Sequence, residues 1–519
     1  MPSHFCSRVV CACLLPFLLM PITPAQEKES KPAADKAAEK TPEPAKEESS
    51  VTDHSIKLSG QTIAYKATAG SILLKNDKDE DQALVYYYAY TRSDVKDVNP
   101  RPLAFLYNGG PGSSSIWLHM GSFGPKRVVT VDANMTPPAP YKVEDNPECL
   151  LDRADLVFID PVGTGFSKAV GKAQDKDFWG VDQDVKSLAQ FVQSYVTRNN
   201  RWNSPKFLIG ESYGTFRNAA LSNTLQSANG IYLNGIVMIS SVFDLGTLSF
   251  PLGNDLPYVL YLPSYAATAW YHKVIKDRPE NPDRFIEEAR KFAKTEYANA
   301  LLQGDMLTNN EKAAIAEKLA HFTGLSEEYI QRSKLRVKLS AFMQELQLNR
   351  GLTTGRLDSR FSGPTYDLVT STVNYDPQAT AITGAFVAAF NMYIRDELKF
   401  PHDREYHVTA NFGDNHWDWK HETGGGFFPG SPNVMRDLAN AFIVNPKLRV
   451  ELEDGYYDLA TPFFEAEYAT EHLGLPEDLQ KNIQHKYYAA GHMMYLRPED
   501  ASKLKGNVAA FIDANAKAM

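Results

Sequence analysis

The 519-residue sequence predicts an α/β fold: a mostly parallel central sheet, helices on its faces, and a helical cap inserted into it. Three observations lead there. Short, uninterrupted apolar runs alternate with helix-compatible stretches. A charged block near the middle is helical in period and contains no strand-like run. The 43% hydrophobic content is enough to bury one large core plus an inserted unit.

Taken in order, Arg8, the apolar run Val9 to Ile22 and the small residues of Thr23-Pro24-Ala25 read as a secretory leader over residues 1–25. The run falls short of the roughly 20 apolar residues that a spanning helix needs. Cleavage should therefore leave no membrane span and a secreted or periplasmic chain, the rival reading being a retained anchor. Cys6, Cys11 and Cys13 lie in the leader, so the mature chain keeps only Cys149 and no internal disulfide can form. Residues 26–50 hold twelve charged residues and three prolines but no Val, Ile, Leu, Met or aromatic residue, and are expected to be a disordered linker.

Residues 51–270 form the first part of the core. The alternation in Leu84-Val85-Tyr86-Tyr87-Tyr88-Ala89-Tyr90 suggests antiparallel strands at its start. The runs Leu103 to Tyr107, Leu156 to Ile159, Phe207 to Ile209 and Ile236 to Ile239 look like buried parallel strands, with a helix at Val181 to Arg198. The cap spans 271–365, where Phe285, Ala289 and Phe292 share a helical face, Thr308-x-x-Glu311 resembles a capping box, and Gly324 ends that helix. The second part of the core, 366–519, holds a helix near Asn433 to Ile443, a strand at Leu448 to Leu452 and another near Lys486 to Ala490.

The net charge of −9 and the lack of clustered Lys and Arg exclude nucleic acid as a partner and favour small or peptidic substrates. Chemistry is carried by Gly210-Glu211-Ser212-Tyr213-Gly214. About 0.2 such G-x-S-x-G matches are expected by chance in a chain this long, so context decides. The pentapeptide follows the strand Phe207 to Ile209 and precedes a helix-compatible run, the strand-turn-helix setting that presents a nucleophilic serine in the α/β-hydrolase fold. A serine hydroxyl needs a histidine base and an acid to orient it, in the chain order Ser, acid, His. His492 and Asp458 each sit in a loop just after a strand, on the same sheet edge as Ser212. His416 and His421 are rival bases with no preceding strand, and their i,i+5 spacing does not make a helical metal site; no metal or other cofactor is expected. Asp454 is the nearest rival acid, and Asp160 reads as a structural loop residue. The loop Asn108-Gly109-Gly110-Pro111-Gly112 follows an early strand, and the backbone N–H groups of Gly110 and Tyr213 are the expected oxyanion donors.

These segments, together with Asp160-Pro161-Val162-Gly163-Thr164-Gly165-Phe166-Ser167, Asp458-x-x-x-Pro462 and Gly491-His492-Met493, resemble the serial signatures of the serine carboxypeptidases, five motifs in order over roughly residues 100 to 500. The resemblance implies an acyl-enzyme mechanism and release of single residues from peptide C-termini, often at acidic pH, without a metal. It implies a triad of Ser212, Asp458 and His492, with Asn108, Gly109 and Glu211 holding the substrate's terminal carboxylate. Two ionised carboxylates cannot sit together, so Glu211 would share a proton with the substrate, which favours acidic conditions. The chain departs from the pattern at Leu106, where a Trp is usual, at Ser113, where a Cys is usual, and at Ser122, where a Glu usually completes the carboxylate network. It also lacks the Gln between Asp160 and Pro161 and the disulfides of many relatives. The clamp is thus thinner than the triad, which leaves an esterase or acyltransferase using the same triad, or a silent surface-binding protein, as rival readings.

Overall fold

The computed structural model describes residues 45–369, 372–400, 403–414, 416–421 and 430–517. The expected leader, and most of the expected linker, lie outside the described residues. Strand β1 (Ser49–Leu58) pairs antiparallel with β2 (Gln61–Lys75), and β2 with β3 (Asp81–Arg92), as the alternation of Leu84 to Tyr90 foretells. Residues 45–50, within the span 26–50 expected to be linker, are described, and Ser49 and Ser50 open β1. Glu47 pairs with Arg198 at 2.7 Å and the Glu48 N–H donates to Ser71 Oγ at 2.9 Å. Composition does not reveal that Glu47 finds a cationic partner on the helix Val181–Arg198.

The apolar runs become β4 (Leu103–Tyr107), β5 (Asp155–Ile159), β6 (Lys206–Glu211), β7 (Gly235–Ile239), β8 (Arg449–Gly455) and β9 (Ile483–Tyr488). The main path of the sheet runs β1-β2-β3-β5-β4-β6-β7-β8-β9, and every pair from β5 to β9 is parallel. This is the mostly parallel α/β-hydrolase sheet that the sequence predicts.

Successive residues of a strand point to opposite faces. Along β4, Leu103, Phe105 and Tyr107 join one core with α1 (Val181–Arg198), α2 (Tyr213–Ser227) and α7 (Met435–Val444). Ala104 and Leu106 join the core on the other face, with α6 (Pro377–Asp396) and α8 (Pro498–Asn515). The insertion has a third core of its own, built from α3 (Leu256–Tyr271), α4 (Pro282–Phe292) and α5 (Asn309–Thr323), and it reaches Tyr457 and Leu459 in the loop after β8. The helix α3, ahead of residue 271, packs into this same core. Thr308 and Glu311 form the expected capping box, and Gly324 ends α5 in the left-handed conformation. The insertion closes with a two-stranded hairpin, Leu352–Thr354 and Ser362–Pro364.

The chain passes from β4 to β5 on one side, then returns past β4 to β6 on the other. Such a reversal opens a crevice beyond the carboxyl ends of the two neighbouring strands. Asn108 follows β4 there, and Ser212 follows β6.

Candidate active site

Ser212 sits between β6 and α2 with φ 60° and ψ −130°. A non-glycine residue held there stores on the order of 1–3 kcal/mol of strain. The surroundings impose it. The Ser212 N–H donates to Ile239 O at 2.9 Å, and its carbonyl accepts from Thr215 N–H at 2.8 Å and Thr215 Oγ1 at 2.7 Å. The turn is tight enough that Gly109, across the crevice, touches it directly: a Cβ at Gly109 would lie 2.3 Å from Tyr213 N. Any side chain at Gly109 would drive the two loops apart.

Asp458 and His492, expected on the same sheet edge, meet there. His492 Nδ1 lies 2.6 Å from Asp458 Oδ2, both residues being buried. The other oxygen of Asp458 accepts from the N–H groups of Ala460 (2.7 Å) and Thr461 (3.0 Å), and Thr461 Oγ1 donates to Oδ2 at 2.8 Å. With Nδ1 committed to the carboxylate, Nε2 is the ring nitrogen left for a reacting group. Burial alone would lower the His492 pKa, but the charge and hydrogen bond of Asp458, joined by the charge of Glu211, outweigh it and raise the imidazole above its usual range. Ser240, the residue after β7, donates its hydroxyl to His492 O at 2.6 Å, so the histidine loop is tied to the strand end that also accepts from Ser212 N–H. Among the described residues no hydrogen bond joins Ser212 Oγ to the His492 ring, a contact that in unliganded sites commonly closes only around substrate.

The loop after β4 supplies the remaining parts. Gly110 has φ +105°, and Tyr213 is the first residue of α2, whose N–H has no partner inside the helix and lies at its positive end. Behind the loop, Arg217 is fully buried. Its Nε meets Asp184 Oδ2 at 2.6 Å and its Nη1 donates to Asn108 O at 2.8 Å. A buried charge without its partner is strongly destabilising, so this pair pins the loop to α1 and α2.

Glu211 is the fourth feature. Its carboxyl is buried beside the Ser212 turn and accepts from Tyr495 OH at 2.8 Å. Burial pushes its pKa up to about 7; His492, Tyr495 and Asn108 pull the other way without cancelling the shift. Asn108 Oδ1 accepts from Leu118 N–H at 3.0 Å, which leaves the buried Nδ2 amide beside Glu211 without a full hydrogen bond. A neutral carboxyl and an unsatisfied amide together are suited to receive an anionic oxygen.

The rivals fall elsewhere. His416 is exposed, and His421 lies between Asp182 (2.6 Å) and Asp437 (2.8 Å). Asp454 accepts from Ser241 N–H at 2.8 Å, and Asp160 accepts from the N–H and hydroxyl of Ser115, both at 2.8 Å, at the far end of the glycine-rich loop. A cleft of about 600 Å³ lies at the opposite sheet edge, by Lys206 and Asn234 at the amino ends of β6 and β7, and no histidine is among the described residues that line it. Sequence reasoning missed Thr461, Arg217, Asp184 and Tyr495. Thr461 stands inside the quoted Asp458-x-x-x-Pro462 motif; the others carry no local signal, because their contacts join distant parts of the chain.

A serine carboxypeptidase family model matches residues 60–510. Serine carboxypeptidase-like 22 of Arabidopsis thaliana is 27% identical over 216 residues, 40% of this chain and 44% of that protein. Pheromone-processing carboxypeptidase KEX1 of Saccharomyces cerevisiae is 29% identical over 171 residues, 30% of this chain and 22% of that protein. The chain thus matches less than half the length of these curated relatives. The crystal structure of a prohormone-processing carboxypeptidase from Saccharomyces cerevisiae aligns with a TM-score of 0.53 at 18% identity, over 87% of this chain and 92% of that one, a likeness of fold.

Proposed function

The chain belongs to the serine carboxypeptidase family, and on that premise we propose that it releases residues from the C-termini of peptides through an acyl-enzyme on Ser212. His492 Nε2 takes the Ser212 proton as Oγ attacks the scissile carbonyl, while Asp458 holds the proton on Nδ1 and steadies the imidazolium. The N–H groups of Gly110 and Tyr213 receive the oxyanion. His492 then gives its proton to the leaving amine. Water, deprotonated in turn by His492, attacks the acyl carbonyl, and His492 returns that proton to Ser212 Oγ as the C–O bond breaks and the acid product leaves.

One observation carries the C-terminal specificity: Glu211 is a buried carboxyl adjacent to the nucleophile, with the buried Asn108 amide, which makes no full hydrogen bond, beside it. Below its pKa Glu211 is a donor to the substrate's terminal carboxylate; above it, the two like charges repel. The same proton matters for His492. Protonating Glu211 removes one of the charges that raise the imidazole pKa, so neutral acid and neutral base coexist further toward acid. This supports activity favoured at acidic pH.

We further propose export, secreted or periplasmic, from the leader at 1–25. Among the described residues no helix is long and apolar enough to cross a membrane. The test of function uses one blocked dipeptide as its free acid, amide and ester. Preferential hydrolysis of the free acid, lost in Ser212→Ala together with labelling by a serine-directed phosphonate, is expected. Equal rates on all three, or faster transfer to an alcohol than to water, would favour an esterase or acyltransferase.

A further inference from the structure

Where the family pattern has a second acid, this chain has Ser122, and its hydroxyl donates to Leu118 O at 3.0 Å. It offers nothing to Glu211. The space beside Glu211 is filled instead from a distant part of the chain. Tyr495 lies in the short turn Met494–Leu496, three residues after His492, and is buried with its hydroxyl 2.8 Å from Glu211 Oε2. Its ring rests on Gly121, the neighbour of Ser122: a Cβ at Gly121 would lie 2.5 Å from Tyr495 Cε2. The absent side chain at 121 makes room for the aromatic ring, and the ring brings a hydroxyl to the carboxyl.

A phenol has one proton, and burial holds it on the oxygen by raising the phenol pKa further. Given to Oε2, that proton makes Oε2 the acceptor oxygen of Glu211, so an acid proton on Glu211 resides on Oε1. Asn108 reaches the same corner, because its Oδ1 is committed to Leu118 N–H and its Nδ2 is turned toward the Glu211–Tyr495 pair.

We infer that Tyr495 is the third arm of the C-terminal carboxylate clamp, a positioning residue that fixes Glu211 so that its proton is presented from Oε1, in place of an acid at the position of Ser122. The inference rests on the reading of Glu211 as the group that meets the substrate's carboxylate. Tyr495 touches Glu211 rather than the scissile bond, so it sorts substrates by their C-terminus and, at a pH where Glu211 is protonated with or without it, leaves acylation chemistry intact.

The test is Tyr495→Phe in the full chain, assayed on a blocked dipeptide and on its methyl ester, with phosphonate labelling of Ser212 as the measure of a working triad. Loss of one hydrogen bond to the neutral acid corresponds to roughly three- to tenfold in kcat/KM for the free acid, expressed mainly in KM. The ester and the labelling rate should change by less than about twofold, within the scatter of a neutral surface change. The alkaline fall of free-acid activity should move to higher pH, since the hydrogen bond from Tyr495 favours ionised Glu211. In a Glu211→Ala background, where no side-chain oxygen is left to accept from Tyr495, Tyr495→Phe should leave the acid-to-ester ratio unchanged, because Tyr495 acts through Glu211. An unaltered ratio in the single variant, or equal losses on acid and ester, overturns the role of Tyr495. A wild-type protein that does not prefer the free acid at all overturns the reading of Glu211, and this inference with it.

Discussion

Glu211 concentrates the site's electrostatics in one side chain. It is adjacent to Ser212 in sequence, shares a field with His492, and is held near neutrality by burial at a pH where an exposed glutamate would be fully charged. As pH rises through about 7 it ionises, and binding of a C-terminal carboxylate should weaken by about tenfold per further pH unit, as for any single required proton. Glu211→Gln keeps a donor at all pH values. In that variant, kcat/KM for free-acid peptides is expected to stay level between pH 7 and 8.5 while the wild type falls; a parallel fall in both would place the titrating group elsewhere. Ser212, Asp458, His492, Asn108 and Glu211 were legible because each stands in a short motif beside a strand end. Tyr495 was not, since its partner is 284 positions away in the chain and the two meet only through tertiary packing, which includes that of its ring on Gly121. Arg217 was hidden for the same reason, a charge on an otherwise ordinary helix whose partners, Asp184 and the Asn108 carbonyl, come from other elements.

Among the elements, the loop between the two strands of the cap hairpin does most to join the insertion to the site. His492 N–H donates to Leu357 O at 2.7 Å, Gly491 N–H to Asp358 Oδ2 at 3.1 Å, Leu459 N–H to Arg356 O at 3.0 Å, and Ser359 N–H to Tyr457 O at 2.9 Å. One short segment thus grips the acid loop and the histidine loop together. Asp358 is itself locked to the buried Arg360, 2.6 Å away, and a Cβ at Gly491 would fall 2.4 Å from Asp358 Cβ. Asp358→Ala would strand the Arg360 charge, whose remaining acidic partner, Asp132, is more exposed. We expect a loss of about 3 kcal/mol in stability, seen as a lower unfolding temperature, and slower phosphonate labelling of the fraction that remains folded. Unchanged labelling would mean that the loop supports the fold without aligning His492. Strand positions were legible because buried parallel strands are apolar throughout. The place of α3 was not: it is as apolar as a core strand, and periodicity cannot say which body a buried helix packs against.

Across the whole molecule, buried carboxyls set how stability depends on pH. Burial raises Asp160 to about 6, Glu211 and Asp454 to about 7 and Glu465 to about 8. An unfolded chain would release these protons near pH 4. Between those limits the folded state binds more protons than the unfolded one, so the stability these groups contribute is full below about pH 4 and is lost progressively as pH rises through the folded pKa values. The unfolding temperature should be higher at pH 5 than at pH 8, by at least about 2–3 °C; the opposite order would show that the exposed ion pairs dominate. Composition alone could not indicate this, because an acidic residue count does not distinguish surface carboxylates from buried acids. The acidic working range proposed from Glu211 and the acid-favoured stability expected of the fold would have one physical origin, the burial of carboxyls. The claim that joins them is that Ser212 cleaves peptides from their free C-termini, and digestion of a mixed peptide library with the wild type and Ser212→Ala, followed by mass spectrometry, tests it most directly. Stepwise loss of single residues from free-acid peptides, none from their amides, and none with Ser212→Ala is the expected result. Internal fragments, equal trimming of amidated peptides, or activity that survives Ser212→Ala would contradict it.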